Sequence, residues 1–386
     1  MRTRALLLTA VAVTAAPASG QSLFNSAGMG LPVEALDGRA RALGNLGIGL
    51  RGGSLMPTDP AAVAGYRLAT GVMASQPSWV EYAQDGGSTG TFQGTRFPLI
   101  GLAYPVFSGM MSVQIGSFLD QRFISEVPGT VDLGGSQVAI TDRFNQNGAV
   151  SNLNVGYAHM IGPRFSAGAT LGRYAGSVVR TLERSFDDAS LGVEDYLEQG
   201  KWSYTGYSLT AGVAANLTEG VRVAASVQLP TDLDADASAA TEGADASFDL
   251  PVQLRVGASA QLAPGLVVTG SAVLADWSST ADDVGQATTV GDANGFGAGI
   301  ELARARLLGR EAPLRFGYRK TGLPFSFASG SASERVFAGG FGLVLNETDE
   351  IVHAGADFGL ERGRRSGGGV TEDFWRLTFS IVVSGL

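Results

Sequence analysis

The sequence predicts an all-β protein, a transmembrane antiparallel up-and-down β-barrel of about fourteen strands with an N-terminal hatch or plug. Three observations predict it. Apolar residues are frequent, yet they alternate with polar ones instead of gathering into blocks. The links between alternating segments are by turns short and long. The first residues have the layout of an export signal.

The export signal comes first in the chain. Met1-Arg2-Thr3-Arg4 precedes an apolar run from Ala5 to Ala16, and Ala18-Ser19-Gly20 supplies small residues for cleavage before Gln21. The run is too short to cross a bilayer, which takes about 20 residues. Residues 1–20 therefore read as a signal peptide, 21–66 as a hatch or plug, and 67–386 as the barrel.

Composition supports this division. No segment offers 18 uninterrupted apolar residues, which excludes a helical membrane protein. Charged residues make up 16% of the chain, against about 25% in ordinary globular proteins. Glycine accounts for 55 of 386 residues, and cysteine is absent, so no disulfide framework exists. The formal charge is −9, with no basic patch to suggest nucleic-acid binding.

The strands follow from a period of two. Trp375, Leu377, Phe379, Ile381 and Val383 share one face, while Phe374, Arg376, Thr378 and Ser380 share the other. The same alternation runs through Val352 to Glu361, Val252 to Leu262 and Val221 to Leu229. It places strands at 67–82, 92–106, 109–122, 148–161, 164–180, 200–217, 221–230, 247–262, 266–278, 293–304, 311–320, 334–345, 350–361 and 372–384.

Period alone cannot separate a membrane barrel from a soluble sandwich; the links can. Phe107-Ser108, Gly162-Pro163, Thr218-Glu219-Gly220, Ala263-Pro264-Gly265, 306–310 and Asn346-Glu347-Thr348-Asp349 are short and rich in turn residues. The links between them are mostly long and polar: 123–147, 187–199, 231–246 and 279–292. An up-and-down barrel sorts its links this way, with tight turns at one rim and loops at the other. Trp79, Tyr82, Tyr104, Trp202, Tyr204, Trp277 and Trp375 fall near strand ends, where interfacial girdles want aromatic rings.

Residues 21–66 break the pattern. They are moderately apolar, and Gly44, Gly47 and Gly49 suit close backbone approaches in a confined space.

Little enzymatic chemistry is on offer, and no catalytic residue is assigned. His159 and His353 are the only histidines, and no Gly-x-Ser-x-Gly elbow accompanies them. Asp232, Asp234 and Asp236 alternate in a link, but Ala237 and Gly243 stand where a calcium loop needs Gly and Glu. Gly295-Phe296-Gly297-Ala298-Gly299 lies on a strand, with no helix after it to bind a dinucleotide. No metal or cofactor is expected.

Two stretches resemble a known family. Ala40-Arg41-Ala42-Leu43-Gly44 through Asp59-Pro60-Ala61-Ala62-Val63 resembles the N-terminal hatch of the FadL-type outer-membrane transporters. So does the C-terminal third, from Gly317-Tyr318-Arg319-Lys320 through Ala354-Gly355-Ala356-Asp357 to Glu372-Asp373-Phe374-Trp375. The sequence departs from the family at Asp59, where an Asn is usual, and at Leu386, where an aromatic residue is common. The resemblance implies a plugged fourteen-stranded barrel in the bacterial outer membrane. It implies passive uptake of hydrophobic small molecules, such as long-chain fatty acids or hydrocarbons, by a monomer surrounded by outer-membrane lipid. The alternative is a structural or interaction barrel of a secretion or envelope complex; the apparent plug disfavours an open porin.

On this reading Phe24, Met29, Leu43, Leu46, Ile48 and Leu50 are candidate ligand contacts in the hatch, and Asp59, Pro60 and Ala61 form its turn. The same apolar residues would also serve simply to pack the plug. In the lumen, Arg255, Arg315, Arg319 and Arg376 could hold a carboxylate head group by charge-assisted bonds, or pair with Asp357, Glu361 and Glu372 across the wall.

Overall fold

A computed structural model describes residues 21–385 except 88, 187–192, 286–287, 308–309, 328–329 and 349–350. The expected signal peptide, 1–20, lies outside the described residues.

Fourteen strands close into one antiparallel barrel. They are β1 (Thr70–Gln84), β2 (Thr89–Val106), β3 (Gly109–Asp120), β4 (Ser136–Ile161), β5 (Phe165–Phe186), β6 (Tyr196–Thr218) and β7 (Val221–Pro230). The round continues with β8 (Gln253–Ala263), β9 (Leu266–Ala275), β10 (Gly295–Leu302), β11 (Leu314–Leu323), β12 (Ala332–Thr348), β13 (Ile351–Gly367) and β14 (Val370–Ser384). Each strand pairs with its neighbours in sequence. The first and last meet in register from Thr70↔Ser384 to Gln84↔Val370, which closes the cylinder.

The alternation has the sign that lipid demands. Ile381, Met73, Ile100, Ile115 and Leu153 stand opposite one another on five adjacent strands. They are 39, 49, 42, 48 and 43% exposed. On the inner face, Ser112, Gln114, Asn152, Asn154, Thr170, Thr378 and Ser380 are buried. A soluble sandwich would bury the isoleucines and expose the polar row. Oily residues outside and polar ones inside suit a barrel surrounded by hydrocarbon. No helix among the described residues is long and apolar enough to cross a membrane.

The structure corrects the sequence reading at the loop rim. The expected link 123–147 is a hairpin of Phe123–Leu133 against the first half of β4. That makes β4, β5 and β6 26, 22 and 23 residues long, whereas β10 has 8. A membrane crossing takes about 9–11 tilted residues, so β4–β6 project well beyond it on one side. β13 likewise runs to Gly367, and a tight turn joins it to β14. Four of the aromatic residues expected in a girdle turn inward: Tyr204 and Trp277 are 4% and 1% exposed, Trp202 packs against the apolar cluster that contains both, and Tyr82 stacks on the buried Phe92. Trp79 and Trp375, cross-strand partners on β1 and β14, do face outward.

Residues 21–66 run inside this wall. They form a 3-10 turn at Leu23–Ser26, a two-residue strand at Leu31–Pro32, helix α1 at Gly38–Ala42 and a second 3-10 turn at Pro60–Gly65. Glycines set the contact distance. Gly44 has φ +59°, and a Cβ there would lie 2.7 Å from the Tyr318 backbone nitrogen on β11. Gly49 has φ +79° and meets the backbone of Gly257 on β8 in the same way.

The outward face gives a direct test. Leu171, 68% exposed on β5, neighbours Thr170, which is 2% exposed and faces inward. Leu171→Arg is expected to lower stability in lipid vesicles by about 2–4 kcal/mol, read from urea unfolding. A variant as stable as the parent places Leu171 in water.

Candidate functional site

The candidate site is the space between the leading segment and the wall, together with a break in the wall beside it. The break lies between β2 and β3, whose pairing runs from Val106↔Gly109 only as far as Leu99↔Gly116. The next residue on β2 is Pro98, which has no N–H to donate, and the β1–β2 register shifts between Ala74 and Gln76. Beyond this point β3 pairs with the leading segment instead, Leu31↔Asp120 and Pro32↔Leu119. Val33 continues the contact, its N–H donating to the Phe118 carbonyl at 2.8 Å.

Side chains span the break where backbone does not. Arg122 donates to the Thr95 carbonyl at 3.0 Å, and Gln21 donates to the same oxygen at 3.3 Å. Phe92 on β2 meets Phe123 with ring centroids 6.3 Å apart. Both belong to an apolar cluster with Phe24, Leu31, Val80 and Phe374.

Two small cavities adjoin the segment 32–34 inside the barrel. One, of about 80 Å³, is bordered by Leu31, Leu46, Arg41, Arg96 and Arg319 among others. The other, of about 60 Å³, is bordered by Ala35, Pro57, Gly116, Phe118 and Asn154 among others.

The hatch residues singled out from the sequence are dispersed over this interior. Phe24, Met29, Leu43, Leu46, Ile48 and Leu50 are all at most 3% exposed. Leu43 and Leu50 pack with Leu36, Leu55, Val72 and Leu99. Met29 packs with Tyr174, Trp277 and Phe325, and Ile48 with Ala61, Ala214 and Ala224. Leu46 borders the larger cavity.

At the hatch turn, Asp59 caps the second 3-10 turn. One carboxylate oxygen accepts the Ala62 N–H at 3.2 Å and the other accepts the Gly49 N–H at 3.0 Å. Arg222 stands 3.9 Å away. Burial pushes the carboxyl up, opposed by Arg222 and the two amides. Pro60 packs where the wall has Gly168 and Gly212.

The four lumen arginines all meet carboxylates. Arg255 reaches Glu34 at 3.1 Å and donates to the Leu46 carbonyl at 3.0 Å. Arg315 binds Glu301 at 2.7 Å and Asp357 at 2.5 Å. Arg319 binds Glu361 and, at 3.1 Å, Glu334. Arg376 stands 3.4 Å from each of these two glutamates. The pairing alternative from the sequence is thus the one found for Asp357 and Glu361. Glu372, however, pairs with Arg365 at 2.8 Å and accepts from Ser22 Oγ and the Leu23 N–H.

Sequence reasoning missed Glu34, Arg39, Arg41, Arg96, Glu301, Glu334 and Arg365. Arg39 on α1 binds Glu301 with two parallel bonds of 3.0 Å. Period two does put Glu361 and Arg365 on one face of β13, and Pro98 inside a strand is a mark of an edge; these were the available signals.

Fold and interior together define a membrane-spanning β-barrel whose lumen is filled by its own leading residues. Solved structures share the barrel fold. The toluene transporter TbuX of Ralstonia pickettii superposes with a TM-score of 0.59 at 17% identity, over 91% of this chain and 99% of its own. A FadL homologue of Pseudomonas aeruginosa gives 0.63 at 12% identity, over 92% and 100%. The toluene transporter TodX of P. putida gives 0.59 at 12%, over 91% and 98%. The chain has the fold of the FadL-type barrels, and at such identities the likeness is one of fold. No protein-family model and no curated protein sequence matches it.

The Asp59 turn is open to test. Asn offers one acceptor where two backbone N–H groups need one each. Asp59→Asn is expected to cost about 1–3 kcal/mol, measured by urea unfolding in detergent. Unchanged stability overturns the assigned role of the second oxygen.

Proposed function

We propose that the protein is an outer-membrane channel for passive uptake of hydrophobic small molecules, long-chain fatty acids or hydrocarbons, with residues 21–66 as its plug. The break between β2 and β3 carries this reading. A hydrophobic solute gains about 25 cal/mol for each Å² it keeps out of water, so a route through a wet pore is unfavourable. A route from the interior sideways into lipid avoids water, and here the inner side of the break is covered by the leading segment itself. The barrels of like fold include toluene transporters.

The cavities describe a closed state. A dry cavity of about 150 Å³ accepts benzene, and the two here are about 80 and 60 Å³. Passage therefore requires residues 31–36 to shift. Leu46 at the larger cavity and Phe24 at the aromatic cluster of the break are the hatch residues placed to touch a passing ligand. Met29, Leu43, Ile48 and Leu50 hold the plug by packing.

The natural chain has no cysteine, which makes a crosslink test clean. Ser117 Oγ on β3 donates to the Phe97 carbonyl on β2 at 3.2 Å, next to the break. A Phe97→Cys/Ser117→Cys pair, oxidised to a disulfide, is expected to abolish uptake of a labelled hydrocarbon or fatty acid by cells. Reductant should restore it, and each single cysteine should be active. Full uptake with the bridge formed rules out exit through the break.

A further inference from the structure

The wall beside residues 31–36 carries more positive than negative charge. Arg41, Arg96, Arg319, Arg365 and Arg376 all border the larger cavity. Glu334, Glu361 and Glu372 answer them, and Arg319, Arg365 and Arg376 account for the ion pairs those carboxylates make. Glu34 also borders the cavity, but its carboxylate lies 3.1 Å from Arg255. Asp120 is near Arg96, yet Arg122 takes both its oxygens at 3.0 and 2.8 Å while Arg96 stands off at 3.8 Å.

The two most weakly paired guanidinium groups are Arg41 on α1, for which no salt bridge is found among the described residues, and Arg96 on β2, which shares Asp120 with Arg122 at the longer distance. Arg41 is 3% exposed; it donates to the Glu34 carbonyl at 2.6 Å, and its Nε is buried without a partner. Arg96 donates its Nε to Gln76 at 2.7 Å. A buried guanidinium such as Arg41, short of a counter-charge, is strongly destabilising. A guanidinium presents paired N–H donors in a fork that fits two oxygens of one anion. The cavity between these residues, about 80 Å³, has ample room, since one ordered water needs about 10–15 Å³.

We propose that this cavity binds a small oxyanion, gripped by Arg41 from the leading segment and Arg96 from the wall, and that the bound anion fastens the segment in place. The site lies in the cavity bordered by Leu46 on the proposed route, but its effect is read in stability and exchange, so its failure and a failure of uptake are distinguishable.

Inorganic phosphate is the probe, with sodium chloride at equal ionic strength as control and acetate as a carboxylate arm. The full chain in detergent micelles should melt higher as phosphate is added, saturating at a gain of about 3 °C or more, with no such gain in chloride. A gain in acetate as well would mean that the site accepts carboxylates along with phosphate. Arg41→Lys and Arg96→Lys keep the charge and lose the fork, so each should raise the half-maximal phosphate concentration about tenfold. Hydrogen exchange at the amides of Leu31 and of residues 33–36 in the natural chain should slow with phosphate, which decides the matter should the variants not fold. Equal effects of phosphate and chloride, a wild-type response in both Lys variants, or exchange indifferent to phosphate would each overturn the site.

Discussion

A chain crossing hydrocarbon must satisfy its backbone N–H and C=O groups internally, and the rest of this structure depends on that constraint. Closing β1 onto β14 meets it around most of the circumference, with the register unbroken from Trp79↔Trp375 through Gln84↔Val370. It also explains the inverted alternation: once the ladder is closed, one face must meet lipid and the other encloses a space. Where the ladder lapses, between β2 and β3 above Leu99, the exposed edge does not go unserved. The leading segment supplies Leu31 and Pro32 to β3, and Arg122 and Gln21 cap the Thr95 carbonyl on β2.

The interior is held by a different logic from an ordinary core. It combines apolar clusters around Leu43, Met29 and Phe24 with buried ion pairs. Arg39–Glu301 and Ser22–Glu372 join the leading segment to β10 and β14. Such pairs add less net stability than apolar packing would, but losing one partner leaves a buried charge. They therefore fix the segment in one position more than they hold it tightly.

Much of the fold was legible because lipid and lumen impose opposite demands on successive residues. β14 shows it: Trp375, Leu377, Phe379 and Ile381 against Phe374, Arg376, Thr378 and Ser380. Legibility failed where the strands rise beyond the membrane. The hairpin Phe123–Leu133 and the start of β4 carry Ser125, Glu126, Thr130, Asp132, Asp142 and Arg143, and their buried Phe123, Val138 and Ile140 are too sparse among these to mark an oily face, so the stretch read as a loop. Tyr204 and Trp277 looked like girdle residues since an aromatic ring near a strand end carries no sign of direction. The interior was harder still. Arg319 and Glu361 lie 42 positions apart, and Arg39 and Glu301 lie 262 apart. Only the register of the closed sheet and the path of the leading segment bring them together, and neither is written in local spacing. The break, by contrast, had a local mark in Pro98.

The clamp between Ser22 and Glu372 bears on how the molecule is assembled. Its two halves are separated by 350 positions, and Gly38 reaches Ser380 across 342. Contacts of such span close late, because the loop entropy must be overcome before they form. The leading segment is thus secured by β14. The seat of the leading segment is therefore incomplete until β14 is in place.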